Sequence, residues 1–172
     1  MGETRGLMAS EDHLCVTLNL LGRHAECIAL AHAVITREGG RPSAKLPNLL
    51  RLMTAQSGSG AIAEAGQTLM QAMPGRRRTG ILFLASSSIA VLLAELGRWA
   101  DATRVGAAAL AVQHRTQRAW QPSLQRTITR WQTLLAAVPC DAEKRARWEC
   151  ERQALDEAAI EVICLRAVPA RP

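Results

Sequence analysis

Aromatic side chains are nearly missing: the 172 residues include one Phe, four Trp and no Tyr. Strands draw on Val, Ile, Thr and the aromatics, so this scarcity argues against an all-β sandwich and for packed helices of small and straight-chain residues. Lysine is almost as rare. Among 21 cationic residues only Lys45 and Lys144 are Lys and the rest are Arg, a bias that, with abundant Ala and Gly, matches a GC-rich coding sequence. No Cys-x-x-Cys pair occurs. The five cysteines, Cys15, Cys27, Cys140, Cys150 and Cys164, are odd in number and widely spaced, which speaks against a disulfide framework or a zinc ribbon. A reducing intracellular compartment fits them best, the cytoplasm or an organelle matrix.

Long apolar runs are absent too. The longest uncharged stretch, Thr79 to Ala94, has 16 residues and is broken by Ser86-Ser87-Ser88, short of the ~20 that span a bilayer. It is expected to be a buried core helix, with no membrane span. The first residues carry acids early, unlike a secretory signal, and Gly6 stands where a myristoylation pattern needs Ser or Thr.

Hydrophobic residues make up 48% of the chain, a globular value, and a chain of this length can bury roughly 70% of its unfolded surface. One domain over residues 1–172 is therefore expected. The net charge of +6 is unevenly spread. Residues 1–38 are net −2, residues 39–140 net +9 and residues 141–172 net −1, so the middle is the electropositive part.

The chain repeats itself. Gly22-Arg-His-Ala25-Glu26-Cys27, Gly60-Ala-Ile-Ala63-Glu64-Ala65 and Gly97-Arg-Trp-Ala100-Asp101-Ala102 share a Gly, two residues, Ala, an acid and a small residue, with the glycines 38 and 37 apart. Small or apolar residues recur four and seven positions beyond the last of these: Ala31 and Val34, Leu69 and Ala72, Gly106 and Ala109. That spacing marks one face of a helix. Eight residues before each Gly stand Leu14, Leu52 and Ile89, inside segments that also read as helices. Each unit is thus a helix, a tight Gly turn and a second helix. The expected helices cover 9–21 and 23–37, 44–57 and 60–73, 79–96 and 98–113, 121–138 and 141–166. Gly39-Gly40-Arg41-Pro42, Pro74-Gly75 and Pro139 with Asp141 supply the breaks, and Pro122 suits a first helical turn.

This pattern resembles the tetratricopeptide repeat, above all in Leu-Gly-Arg-Trp-Ala-Asp-Ala at 96–102 and then in Leu21 to Cys27. The likeness covers roughly residues 9–113 and departs in its longer period, in Glu11, Leu49 and Ser86 standing where a first-helix aromatic belongs, and in the missing closing Pro. Pentatricopeptide repeats, an RNA-reading cousin, have a similar hairpin. The resemblance implies an all-α fold, a right-handed α-solenoid of about four antiparallel helical hairpins near 9–37, 44–73, 79–113 and 121–166. It also implies a concave partner-binding surface, here including Asp12, Val16 and Asn19 in the first unit and Ser87, Val91 and Glu95 in the third. No carboxylate clamp can be read there.

Catalytic patterns find little support. Glu149, Asp156, Glu157 and Glu161 intermix with Arg145, Arg147 and Arg152 as a self-paired solvated helix surface does. His13, Cys15, His24, Cys27 and His32 lack the paired short chelates of a zinc site. Ser57-Gly58-Ser59-Gly60 has no P-loop Lys and reads as a plain turn. No catalytic residue, cofactor, metal or small-molecule substrate is expected.

Between Ala102 and Cys140 there is no acid. On a helical wheel Trp120, Leu124, Ile128, Trp131 and Leu135 share one arc, with Arg126 and Arg130 opposite and Gln121, Gln125 and Gln132 alongside. That Arg face is either simply hydrated or a track for phosphates, together with Arg76, Arg77, Arg78, Arg115 and Arg118. The leading expectation is a non-enzymatic helical-repeat module that binds another protein, as a scaffold or subunit of a larger assembly. The alternative is RNA or ribonucleoprotein contact through the Arg-rich centre, as in an organellar repeat protein. A sensor or dimerisation module of a bacterial regulator comes third.

Overall fold

Ala, Leu and the recurrent Gly place helices with short turns along the whole chain, and the computed structural model bears out the all-α class. It describes residues 2–37, 42–73, 81–116, 122–138, 143, 146–147 and 155–167. Among these there are eight helices and no strand: α1 (Gly2–Leu20), α2 (His24–Arg37), α3 (Pro42–Gly58), α4 (Ile62–Ala72), α5 (Ile81–Glu95), α6 (Trp99–Thr116), α7 (Pro122–Ala136) and α8 (Glu157–Ala167).

One turn is used three times. Gly22, Gly60 and Gly97 have φ of 73°, 85° and 74°, the left-handed conformation that glycine enters without a Cβ penalty. Each closes its helix with the same two bonds. The Gly N–H donates three residues back, Gly22 to Asn19, Gly60 to Ser57 and Gly97 to Ala94, at 3.2, 3.1 and 2.9 Å. The next N–H donates five residues back, Arg23 to Leu18, Ala61 to Gln56 and Arg98 to Leu93, at 2.9, 2.9 and 2.8 Å. This is the Schellman arrangement, which satisfies carbonyls that a helix end leaves open. The repeated acid follows in the first turn of the next helix, as Glu26, Glu64 and Asp101, where negative charge suits the helix dipole.

The small residues of the repeat are buried as the pattern requires: Cys27, Ala65 and Ala102 are all 0% exposed. Ala31, Val34, Leu69, Ala72, Gly106 and Ala109 are buried behind them. Upstream, Leu52 and Ile89 are buried, but Leu14 is 48% exposed. On α1 the inward positions are Cys15 and Leu18 instead.

The chain divides into two compact units, Met1–Ala72 and Met73–Pro172. In the first, α3 packs on α2 and α4, and α1 packs on α2 and α3. Leu49, Met53 and Leu69 are its largest fully buried side chains, with Val34 from α2. Thr68 of α4 donates to Gln56 Oε1 of α3 at 2.7 Å, so this buried polar pair satisfies itself.

In the second unit α5 packs on α6, α7 and α8. Ser86, Ser87 and every residue from Ile89 to Ala94 are buried, which explains the uncharged stretch: a helix covered by three others has no solvated face for charge. No described helix is long and apolar enough to cross a membrane. On α7, Ile128, Trp131 and Leu135 are buried and Gln125, Arg126, Arg130 and Gln132 exposed, as the wheel predicts; Trp120 and the Leu124 side chain lie outside the described residues. The Trp131 ring lies against Gly106 of α6 so closely that a Cβ there would overlap it. Its indole N–H is buried with no hydrogen-bond partner among the described residues.

The expected last helix, 141–166, needs correction. Leu155 and Asp156 are not helical, and Asp156 Oδ1 accepts from the Ala159 N–H at 2.8 Å. Asp156 is therefore the N-cap of α8, and the expected helix does not run unbroken to 166.

Candidate functional site

The residues singled out from the sequence fall in both units. In the first, Asp12 of α1 accepts from Arg51 of α3 in two bonds, at 2.8 and 3.2 Å. Its neighbour Glu11 accepts from Arg37 of α2. Two adjacent carboxylates thus tie α1 to the two helices it packs against. Such forked Arg–carboxylate bonds fix geometry, and at this partial exposure each contributes on the order of 1 kcal/mol or less. Val16 is half-buried. Asn19 Oδ1 lies 3.2 Å from His24 Nδ1, bridging the two ends of the Gly22 turn, and the His24 ring fills the space that a side chain at Gly58 would take.

In the second unit Ser87 and Val91 are only 4% and 3% exposed and belong to the core. Glu95, in the last turn of α5, is bonded by Arg130 of α7. The solvent-facing surface of α7 carries Gln125, Arg126, Thr129, Arg130, Gln132 and Thr133. Arg76, Arg77, Arg78 and Arg118 lie outside the described residues, and so does the side chain of Arg115.

Among the described residues no three His, Cys, Asp or Glu side chains converge as metal ligands. His13 and His32 are exposed while Cys15 and Cys27 are fully buried. Burial, with smaller contributions from the charges of Asp101 and Glu161, pushes the Cys164 thiol up to about 12, which makes it inert as a nucleophile at neutral pH.

Several features escaped the sequence reading. The Asp12–Arg51 pair joins residues 39 apart and Arg130–Glu95 residues 35 apart, separations at which nothing in a helical pattern signals a contact. Leu14 and Leu21 on the first unit, and Val162 and Leu165 on α8, are large apolar side chains more than 40% exposed.

The chain matches no family model, no curated protein and no solved structure.

Proposed function

We propose that this chain is a non-enzymatic helical-repeat module, of tetratricopeptide-like kind, that binds a protein partner as a scaffold or subunit in a reducing intracellular compartment. The observation that carries the reading is the turn used three times, with one hydrogen-bond pattern at Gly22, Gly60 and Gly97 and a fully buried small residue five positions after each. A repeated helix–turn–helix unit with a buried small face stacks on its neighbour. On that reading the pairs α1–α2, α3–α4 and α5–α6 are antiparallel hairpins of a right-handed solenoid.

Asp12, Val16 and Asn19 are the partner-facing residues, since they remain at least partly accessible. Glu95 is held by Arg130 of α7 and belongs to the α5–α7 contact of the second unit. The experiment is purification of the tagged chain from its native source beside a Val16→Arg variant. A stoichiometric protein that the variant loses supports the module; its absence, or equal recovery by both, refutes it.

A second reading is RNA contact through α7, favoured by the exposed Arg126 and Arg130 in a span without acids. Binding of a generic single-stranded RNA should then weaken steeply with salt. No binding at low salt sinks it.

A further inference from the structure

Cys15 of α1 and Cys27 of α2 are both 0% exposed and share one apolar cluster with Leu18 and Ala55. Cys27 Sγ donates to the Cys15 carbonyl oxygen at 3.5 Å, so the two cysteines meet where α1 packs on α2. Both are free thiols. They are not equivalent. The adjacent Cys27 side chain lowers the Cys15 pKa, against burial and the carboxylates of Asp12 and Glu11 and with the aid of Arg51. The adjacent Cys15 side chain, with burial, raises Cys27. Cys15 is thus the sulfur that more readily becomes a thiolate, and Cys27 the one that keeps its proton. That is the division between an attacking and a resolving cysteine.

We propose that Cys15 and Cys27 are a peroxide-sensitive pair that closes as an intramolecular disulfide, linking α1 to α2 across the Gly22 turn. The Cys15 thiolate attacks one peroxide oxygen; the O–O bond breaks, the departing hydroxide takes up a proton as water, and Cys15 is left as a sulfenic acid. The Cys27 sulfur then attacks the Cys15 sulfur. The S–O bond breaks and the hydroxyl leaves with the Cys27 proton as a second water. Two thiols lose two electrons in all, and the peroxide is reduced to water. Because neither sulfur is exposed, the reaction waits on a local opening of the structure around the pair, and a small uncharged oxidant enters ahead of a bulky one.

The test treats the reduced full chain with hydrogen peroxide, alkylates the remaining thiols in denaturant and digests with trypsin. Cleavage after Arg5, Arg23 and Arg37 puts Cys15 on residues 6–23 and Cys27 on residues 24–37. The expected product is these two peptides joined, two hydrogens lighter than their sum and separated again by dithiothreitol. In a Cys27→Ser chain the reaction should stop at a Cys15 sulfenic acid trapped by dimedone. Recovery of both wild-type peptides as alkylated thiols, or of either joined only to other cysteines, overturns the proposal. The wild-type map decides the matter even where the variant fails to fold.

Discussion

Arg130, on the exposed side of α7, donates through Nη2 to the carboxylate of Glu95 in the last turn of α5. The guanidinium is 43% exposed and the carboxylate only 10%. One residue expected at a protein-binding surface and one expected on a phosphate track are therefore each other's partners, and part of the Arg130 charge is spent inside the fold.

Replacing either member should cost stability. Arg130→Gln and Glu95→Gln are each expected to lower the unfolding free energy by about 1 kcal/mol, between an exposed ion pair and a fully buried one. The double variant should lose less than the sum, because the second change removes a group whose partner is already gone. Urea unfolding of the four chains measures it, and strict additivity would refute the coupling. The same set sharpens the RNA question: Glu95→Gln removes the carboxylate charge beside Arg130 and should tighten RNA binding if α7 is a phosphate track.

The three turn glycines offer a matched series. Gly22→Ala, Gly60→Ala and Gly97→Ala each place a Cβ in open space, with nothing within 4 Å, so the cost is the left-handed backbone alone. A similar loss of roughly 1–2 kcal/mol is expected at each in chemical denaturation. Asn at the same positions should lose less, since it tolerates this conformation better.

Gly106 reverses the usual sign. Gly→Ala inside a helix ordinarily stabilises by roughly 0.5–1 kcal/mol, yet here the new methyl would overlap the Trp131 ring. Gly106→Ala should destabilise by about 1–3 kcal/mol, as overpacking does. It should also shift the tryptophan emission, and a smaller residue at position 131 should relieve much of the loss. A stabilised Gly106→Ala chain would show that α7 does not sit this close to α6.

Alkaline pH should weaken the second unit through Cys164. Its thiol moves from an ordinary 9.0 up to about 12 on folding, so between these values the unfolded chain has lost a proton that the folded chain retains. Stability is fully present below pH 9 and falls as pH rises towards about 12. Melts of the wild type and Cys164→Ala across this range should diverge, with the flatter profile in the variant.

Sequence pattern and structure agree where the physics is local. Gly22, Gly60 and Gly97 each announce a turn because only a few residues decide it, and the helix wheel of α7 sorts Trp131 from Arg130 correctly because a helix has a fixed period. The pattern fails where the answer depends on a neighbouring helix. Leu14 occupies the same repeat position as Leu52 and Ile89 yet is exposed, since burial depends on which helix lies alongside. Val91 and Ser87 read as surface by analogy with a repeat, but α5 is covered by three helices. Asp156 looked like one acid in a charged row; its role as a cap depends on the chain being non-helical at Leu155, which no charge pattern reveals.

The glycine turns also bear on how fast the chain acquires its structure. Each joins two helices that pack on each other directly, so many native contacts link residues close together in sequence. Little chain entropy is lost before such contacts form, and proteins of this kind fold in microseconds to milliseconds. Refolding from denaturant should be rapid, and slowing it would take a change at a turn rather than at the exposed arginines.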